Sequence, residues 1–252
     1  MTTDNNLAVA DWEAHNPPAD LIFDDGEPLE SNRHRIAMNV LIRSLQQLWS
    51  DRNDYFTQGN MFIYYSSSQV KNRNFRGSEF FAVLNVDSSN SQAGWAVWKE
   101  NCPYLDMIVE LMSSSTAEID SIKKYLKNQI FRTSDYFVYN PFDPNSLQGW
   151  HLDDNQEYRS LTPNENAWLW CRHLGLWLGT WEGTIDRETA TWLRFYDVAG
   201  NLVLLPEEAN KAQVEKVKAE AEKFKVQAEN AKAKAAKLAA RLKELGENPD
   251  ML

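Results

Sequence analysis

Cysteine is scarce in this 252-residue chain: Cys102 and Cys171 stand alone, in no metal-ligand spacing. That excludes a disulfide-stapled scaffold or a thiolate zinc module, and two reduced core thiols are expected. Histidine is scarce too. His15, His34, His151 and His173 form no HxH, HxxxH or HExxH pattern, which argues against a zinc hydrolase. Glycine totals ten, with no Gly-rich phosphate loop. Gly175, Gly179 and Gly183 are flanked by Trp and Leu instead of following a strand and opening a helix, so they make no dinucleotide fingerprint. No GxSxG elbow occurs. No apolar run approaches the ~20 residues of a membrane-spanning helix. The opening Met1-Thr2-Thr3-Asp4-Asn5-Asn6 lacks the basic and apolar regions of a signal peptide. A soluble, cytoplasmic protein without a membrane partner is expected.

A surplus of positive charge is also missing. The net charge is −10, from 26 basic and 36 acidic side chains. Between Glu207 and Leu245 ten Lys/Arg face seven Glu, so that stretch is +3 and the rest of the chain carries −13. A body this acidic argues against holding DNA on a broad basic surface, because such binding works by neutralising phosphates. Disorder of the body is excluded by its composition. The chain is 43% hydrophobic, and all ten Trp precede residue 206.

What is present reads as a mixed domain followed by a different kind of segment. Residues 1–30 are rich in Asp, Asn and Pro, with turn signals at Pro17-Pro18 and Asp24-Asp25-Gly26, and suggest an irregular arm. Ile36, Val40, Leu41, Leu45, Leu48 and Trp49 recur at helical spacing. Apolar runs at Met61–Tyr65, Phe80–Val86, Trp95–Trp98 and Met107–Leu111 read as strands between Ser/Asn-rich loops. A second helix is expected after Ser115, which has capping-box spacing to Glu118 and is followed by the stripe Ile119, Ile122, Leu126 and Ile130. Tyr136–Tyr139 reads as a strand stopped by Pro141. Aromatic strands are expected near Trp168–Trp170, Leu174–Leu178, Trp192–Tyr196 and Leu202–Leu205. This order implies an α/β (α+β) domain around one central mixed sheet, with the Trp clusters as core.

From Pro206 no Gly or Pro occurs until Gly246. Val214, Val217, Ala221, Phe224, Ala228, Ala231, Ala235, Leu238, Leu242 and Leu245 step by three and four without a break, a heptad seam. A long coiled-coil helix over 206–246 and self-association through it, as a dimer, are expected, with residues 247–252 as a tail. Four Ala in the seam bury little area, so a single solvated helix is the plainer alternative.

Chemistry is best sought among carboxylates bordering apolar strands. In Asp106-Met107-Ile108-Val109-Glu110-Leu111-Met112, strand alternation puts Asp106, Ile108, Glu110 and Met112 on one face. A Glu turned inward among Ile, Val and Leu is costly unless it is paired or bound to a cation. Asp106 lies about 13 Å away along the strand, too far to share an ion. A partner must come from a neighbouring strand, and Glu79, opening Glu79-Phe80-Phe81-Ala82-Val83-Leu84, is the obvious candidate.

The same residues carry a resemblance. Gly77-Ser78-Glu79-Phe80-Phe81, Asp106 through Glu110, Ser113–Thr116, Asp120, Lys123-Lys124 and Phe131-Arg132-Thr133-Ser134-Asp135-Tyr136-Phe137 follow in the order of a group abundant in cyanobacteria. The chain resembles the Uma (Uma-two) family of restriction-endonuclease-type proteins in the PD-(D/E)xK nuclease superfamily, from about Asp24 to the ending Leu242–Asp250. The resemblance implies a restriction-endonuclease-like sheet flanked by helices over residues 31–205. It further implies a Mg²⁺-dependent hydrolase (Mn²⁺ as a substitute) that cleaves phosphodiester bonds of DNA. Glu79 falls where the family has the Asp of a Pro-Asp pair, and Glu110 falls on its strand Glu; both are implied metal ligands and catalytic residues. The superfamily lysine would fall at position 112, which is Met here, so the resemblance moves that role to Lys123 or Lys124 on the following helix. Helical geometry favours Lys123, about 55° from the centre of the apolar stripe against about 155° for Lys124. Because Ser78-Glu79 replaces Pro-Asp, a catalytically degenerate nuclease-fold protein acting as a binding or assembly module is the alternative.

Overall fold

The computed structural model describes residues 31–64, 76–87, 94–97, 104–112 and 132–245. The chain divides into two compact units, Met1–Leu205 and Pro206–Leu252. The expected arm, the helix expected after Ser115 and the tail lie outside the described residues.

Helix α1 spans Asn32–Leu48. Ser31 caps it, its Oγ accepting from His34 N at 3.4 Å and lying 2.8 Å from His34 Nδ1. Ile36, Val40, Leu41 and Leu45, spaced as the sequence pattern requires, form its buried stripe. Twelve strands follow: β1 Tyr55–Gln58, β2 Met61–Tyr64, β3 Arg76–Ser78, β4 Phe80–Leu84, β5 Trp95–Ala96, β6 Met107–Leu111, β7 Asp135–Asn140, β8 Asp143–Leu152, β9 Tyr158–Ser160, β10 Leu169–Cys171, β11 Leu176–Ile185 and β12 Glu188–Tyr196.

The architecture is α+β. A six-stranded mixed sheet runs β1-β4-β6-β7-β8-β9, with β6 and β7 parallel and the other neighbours antiparallel. Its central strands β4, β6 and β7 are buried nearly throughout, which is why they read as continuous apolar runs. Phe80, Ala82, Met107, Val109, Leu111, Phe137 and Tyr139 face one side, in one cluster with the stripe of α1. Phe81, Val83, Ile108, Met112, Tyr136 and Val138 face the other, with Ile63 and Trp95.

The six-stranded sheet is the expected central mixed sheet, and two three-stranded sheets accompany it, β10-β11-β12 and β3-β2-β5. Each covers an apolar face that the six strands leave open. Leu169, Cys171, Leu178, Leu193 and Phe195 of the β10–β12 meander join the α1 cluster, and Phe195 meets Phe80 with ring centroids 6.1 Å apart. On the opposite face Trp95 of β5 packs against Phe56 and Phe81, at 5.1 and 5.9 Å. The expected strand Leu202–Leu205 reduces to one bridge, Tyr196 to Leu202, although Val203 and Leu205 are buried. The Trp pairs are packing elements: Trp168 stacks on Tyr196 at 3.9 Å, and Trp170 meets Trp177 edge-on at 4.9 Å.

The second unit is helix α2, Pro206–Glu244, 39 residues and about 58 Å long at ~1.5 Å per residue. Val214, Val217, Phe224, Leu238 and Leu245 of its apolar seam are exposed. Among the described residues no helix is long and apolar enough to cross a membrane.

Gly59, in the turn between β1 and β2, positions the strand entry that matters below. A Cβ added there would lie 2.2 Å from the Glu79 carbonyl oxygen and 2.6 Å from Met38 Sδ. The first neighbour is backbone and cannot rotate away. Gly59→Ala is therefore expected to lower stability by about 1–3 kcal/mol, read as a lower denaturant midpoint. An unchanged midpoint would show that the turn yields freely.

Candidate functional site

Strand pairing decides where Glu79 and Glu110 meet. Phe80 pairs with Val109 and Phe81 with Ile108, so one step further along this antiparallel register Glu79 stands opposite Glu110. Directly opposed side chains have Cβ atoms about 4.5–5.5 Å apart. Alternation turns both towards the face that carries Phe81, Ile108 and Tyr136. The two carboxyl groups are close neighbours that act on one another electrostatically. Leu111 N donates to Glu79 Oε2 at 3.3 Å, and Tyr136 Oη donates to Glu110 Oε1 at 3.2 Å. Glu110 is only 9% exposed.

Ionised carboxylates are acceptors only, so a bond between two of them requires a proton on one. Burial first, and then the charge of Glu110 and the hydrogen bond to it, push the Glu79 carboxyl well above the ordinary carboxylate range. Without a cation that shift favours the protonated form of Glu79. A divalent cation offers the same two oxygen-bearing groups a stronger partner, and hard cations prefer such ligands. Of the four residues singled out in the sequence, Glu79 and Glu110 are brought together, whereas Lys123 and Lys124 lie outside the described residues. Asp106 sits at the other end of β6, where its Oδ2 accepts from Leu84 N at 2.7 Å.

A second polar cluster was not anticipated. Asp135, the first residue of β7, is fully buried, and register places it opposite His151 of β8. His151 Nδ1 lies 2.9 Å from Asp135 Oδ1. His173, from the turn after β10, places Nδ1 3.3 Å and its backbone N 3.1 Å from Oδ2. Cys171 Sγ, whose thiol is free, donates to the same oxygen at 3.4 Å. One ligand atom from each of Asp135, His151 and His173 lies within 4.8 Å of the other two, so these residues form a group able to hold a metal ion. Burial would raise the Asp135 carboxyl, but the His173 side chain and backbone N–H, with His151 and Cys171, outweigh it and keep it below the usual range. The same bond to Asp135 raises the His173 imidazole. Burial and Asp135 push the Cys171 thiol well up, so it stays protonated.

Scanning for local spacing missed this cluster because its members are 16 and 38 residues from Asp135. One signal was available. A hairpin turning just after Pro141 puts Asp135 across from His151.

No family model matches the chain, and no curated protein matches it. Among solved structures, one chain from Anabaena variabilis, described as a nuclease candidate belonging to DUF820, aligns at a TM-score of 0.36 and 11% identity. The alignment covers 56% of this chain and 79% of that one. A likeness on that scale carries no inference about chemistry, and the function has to be argued from this chain's own side chains.

The raised Glu79 carboxyl fixes the sign of a pH effect. Its stabilising contribution is fully present below the unfolded value of about 4.3. It is lost as pH climbs towards the folded value, because the unfolded chain releases the proton first. Metal-free protein is expected to lose stability over that rise, and Glu79→Gln should flatten the profile and match or exceed wild type at neutral pH. Taking the difference between the two denaturation profiles removes the contributions of Asp135 and His173. Parallel profiles would contradict the shared proton.

Proposed function

We propose that the chain is a divalent-cation-dependent endonuclease, hydrolysing phosphodiester bonds of DNA with Mg²⁺ or Mn²⁺ held by Glu79 and Glu110. The observation that carries this reading is the pair of carboxyl groups opposed across the β4–β6 register on an apolar face of the sheet. Two acids facing each other, one buried and one half-buried, against an apolar face are costly as a mere packing device and are suited to gripping a cation. The resemblance to the Uma family adds the substrate class.

The residues fit such a cation. Tyr136 Oη and Leu111 N–H each occupy one carboxylate oxygen and so orient the other towards the shared locus. When bound, the cation supplies charge neutralisation at the scissile phosphate in a chain whose body is otherwise strongly acidic. Lys123, or Lys124 in its place, would position a water for attack on phosphorus or, in its neutral amine form, take up the water's proton. A P–O bond forms to the water oxygen as the P–O ester bond to the leaving oxygen breaks, and that oxygen takes a proton from solvent, leaving a phosphate monoester and an alcohol. Oligomerisation through α2 belongs to the same proposal, because its exposed seam residues Val214, Val217, Phe224 and Leu238 have no cover within their helix.

A second reading has its own observation. Ser78, in the place of the family's Pro, donates its Oγ to Phe80 O at 2.9 Å, and Glu79 is one methylene longer than the Asp it replaces. A displacement of ~1 Å at a reacting centre costs on the order of 10²-fold in rate. A protein that keeps the cation and the fold but cleaves nothing, acting as a binding module, follows from that.

Incubation of supercoiled plasmid with the protein and Mg²⁺ or Mn²⁺ is expected to give nicked product, reduced at least about 100-fold by Glu110→Ala. Nicking that survives the substitution would refute the assignment, and cation-induced thermal stabilisation without nicking would select the second reading. Deleting residues 207–252 is expected to lower the mass measured by light scattering from dimer to monomer while the first unit keeps its circular dichroism. An unchanged stoichiometry would rule out α2 as the interface.

A further inference from the structure

We propose that Asp135, His151 and His173 form a binding site for a transition-metal cation of the zinc class, separate from the Glu79–Glu110 pair. Three elements far apart in sequence deliver these side chains to one point: the start of β7, the end of β8 and the turn after β10. Asp135 is a fully buried carboxylate, and its ion-pair partners among the described residues are the two imidazoles. Tetrahedral zinc with bonds of about 2.0–2.2 Å sets neighbouring ligand atoms roughly 3.3 Å apart. The Nδ1-to-oxygen distances of 2.9 and 3.3 Å are already near that spacing. The first distance runs to Oδ1 and the second to Oδ2, and a cation entering here would take the place of the protons of those two hydrogen bonds.

Supporting contacts are in place. The backbone N–H of His173 and the thiol of Cys171 both donate to Asp135 Oδ2, fixing the carboxylate plane as outer partners of metal ligands do. Arg172 Nη1, 3.5 Å from His151 Nε2, belongs to an exposed side chain that can turn to solvent when Nε2 carries the ring proton. Both imidazoles line an open cleft of about 440 Å³ together with Arg132 and Ser134. That gives the ion an entry path and leaves a fourth position for water. Three protein ligands with one open position is the arrangement of reactive zinc sites, not of closed structural ones.

Ligand chemistry separates the two sites. Imidazole nitrogen suits zinc, cobalt, nickel and copper, whereas an all-carboxylate pair suits magnesium and manganese. The site also ties the β10–β12 sheet to the six-stranded sheet, since His173 and Asp135 lie on opposite sides of that junction.

The test is a titration of the tag-free full chain with Co²⁺ near neutral pH, followed by visible absorption and by Zn²⁺ displacement. One saturable equivalent is expected, with the intense bands of low-coordinate cobalt, abolished by Zn²⁺ and not by Mg²⁺. His151→Ala and His173→Ala should each weaken it by at least about 100-fold, the upper end of what even outer partners of a metal cost. His173 is exposed, so that variant keeps its fold, checked by circular dichroism. Glu110→Gln should leave the cobalt spectrum intact. Absence of saturable binding, binding that survives both histidine substitutions, or its loss in Glu110→Gln would each overturn the assignment.

Discussion

Two carboxyl groups that face each other across an antiparallel register, against an apolar face of a sheet, pay for their charge in desolvation and mutual repulsion. This constraint organises much of the surrounding structure. Phe80 opposite Val109 sets the register, Gly59 lets the β1–β2 turn lie against the Glu79 backbone, and Leu111 N–H and Tyr136 Oη each claim one carboxylate oxygen. In the proposed reading a cation takes the place between Glu79 and Glu110, where it would satisfy the pair that a proton on Glu79 satisfies otherwise. Metal-free protein then carries a local conflict that raises the Glu79 carboxyl and that cation binding relieves.

The parallel strands β6 and β7 give the domain two chemically distinct ends. Glu110, near the end of β6, meets Glu79 on the face of Phe81 and Tyr136. Asp135, at the start of β7, meets two imidazoles beside Cys171, on the side covered by the β10–β12 sheet. One cluster is a pair of carboxyl groups, all oxygen in its donors, with the Glu79 carboxyl raised by burial and by its neighbour. The other is a carboxylate with nitrogen donors beside an open cleft.

How far the sequence revealed this depends on how local each signal is. Helix α1, the apolar runs of β4, β6 and β7 and the long helix α2 show their periods directly. Alternation in β6 correctly put Ile108, Glu110 and Met112 on one face. That inward Glu, together with the apolar run opened by Glu79, pointed to the pair before any pairing was known. Strand β8 was invisible because Asp143, Pro144 and Asn145 open it with exposed residues, at an end that β9, paired only with Trp150–Leu152, does not reach. Strand β1 is only four residues long, and β9 is mostly exposed. The Asp135–His151–His173 cluster arises from a hairpin and a sheet junction, so no spacing rule within the chain could reveal all of it.

The most direct measurement counts protons. If Glu79 and Glu110 share one proton that a cation displaces, binding of Mn²⁺ below the raised pKa of Glu79 must release about one proton per ion. Calorimetry in buffers of different ionisation enthalpy reads that number. The account predicts release of about one proton by wild type and its disappearance in Glu79→Gln. Binding of the ion with no proton released, or with the same release from Glu79→Gln, would contradict it.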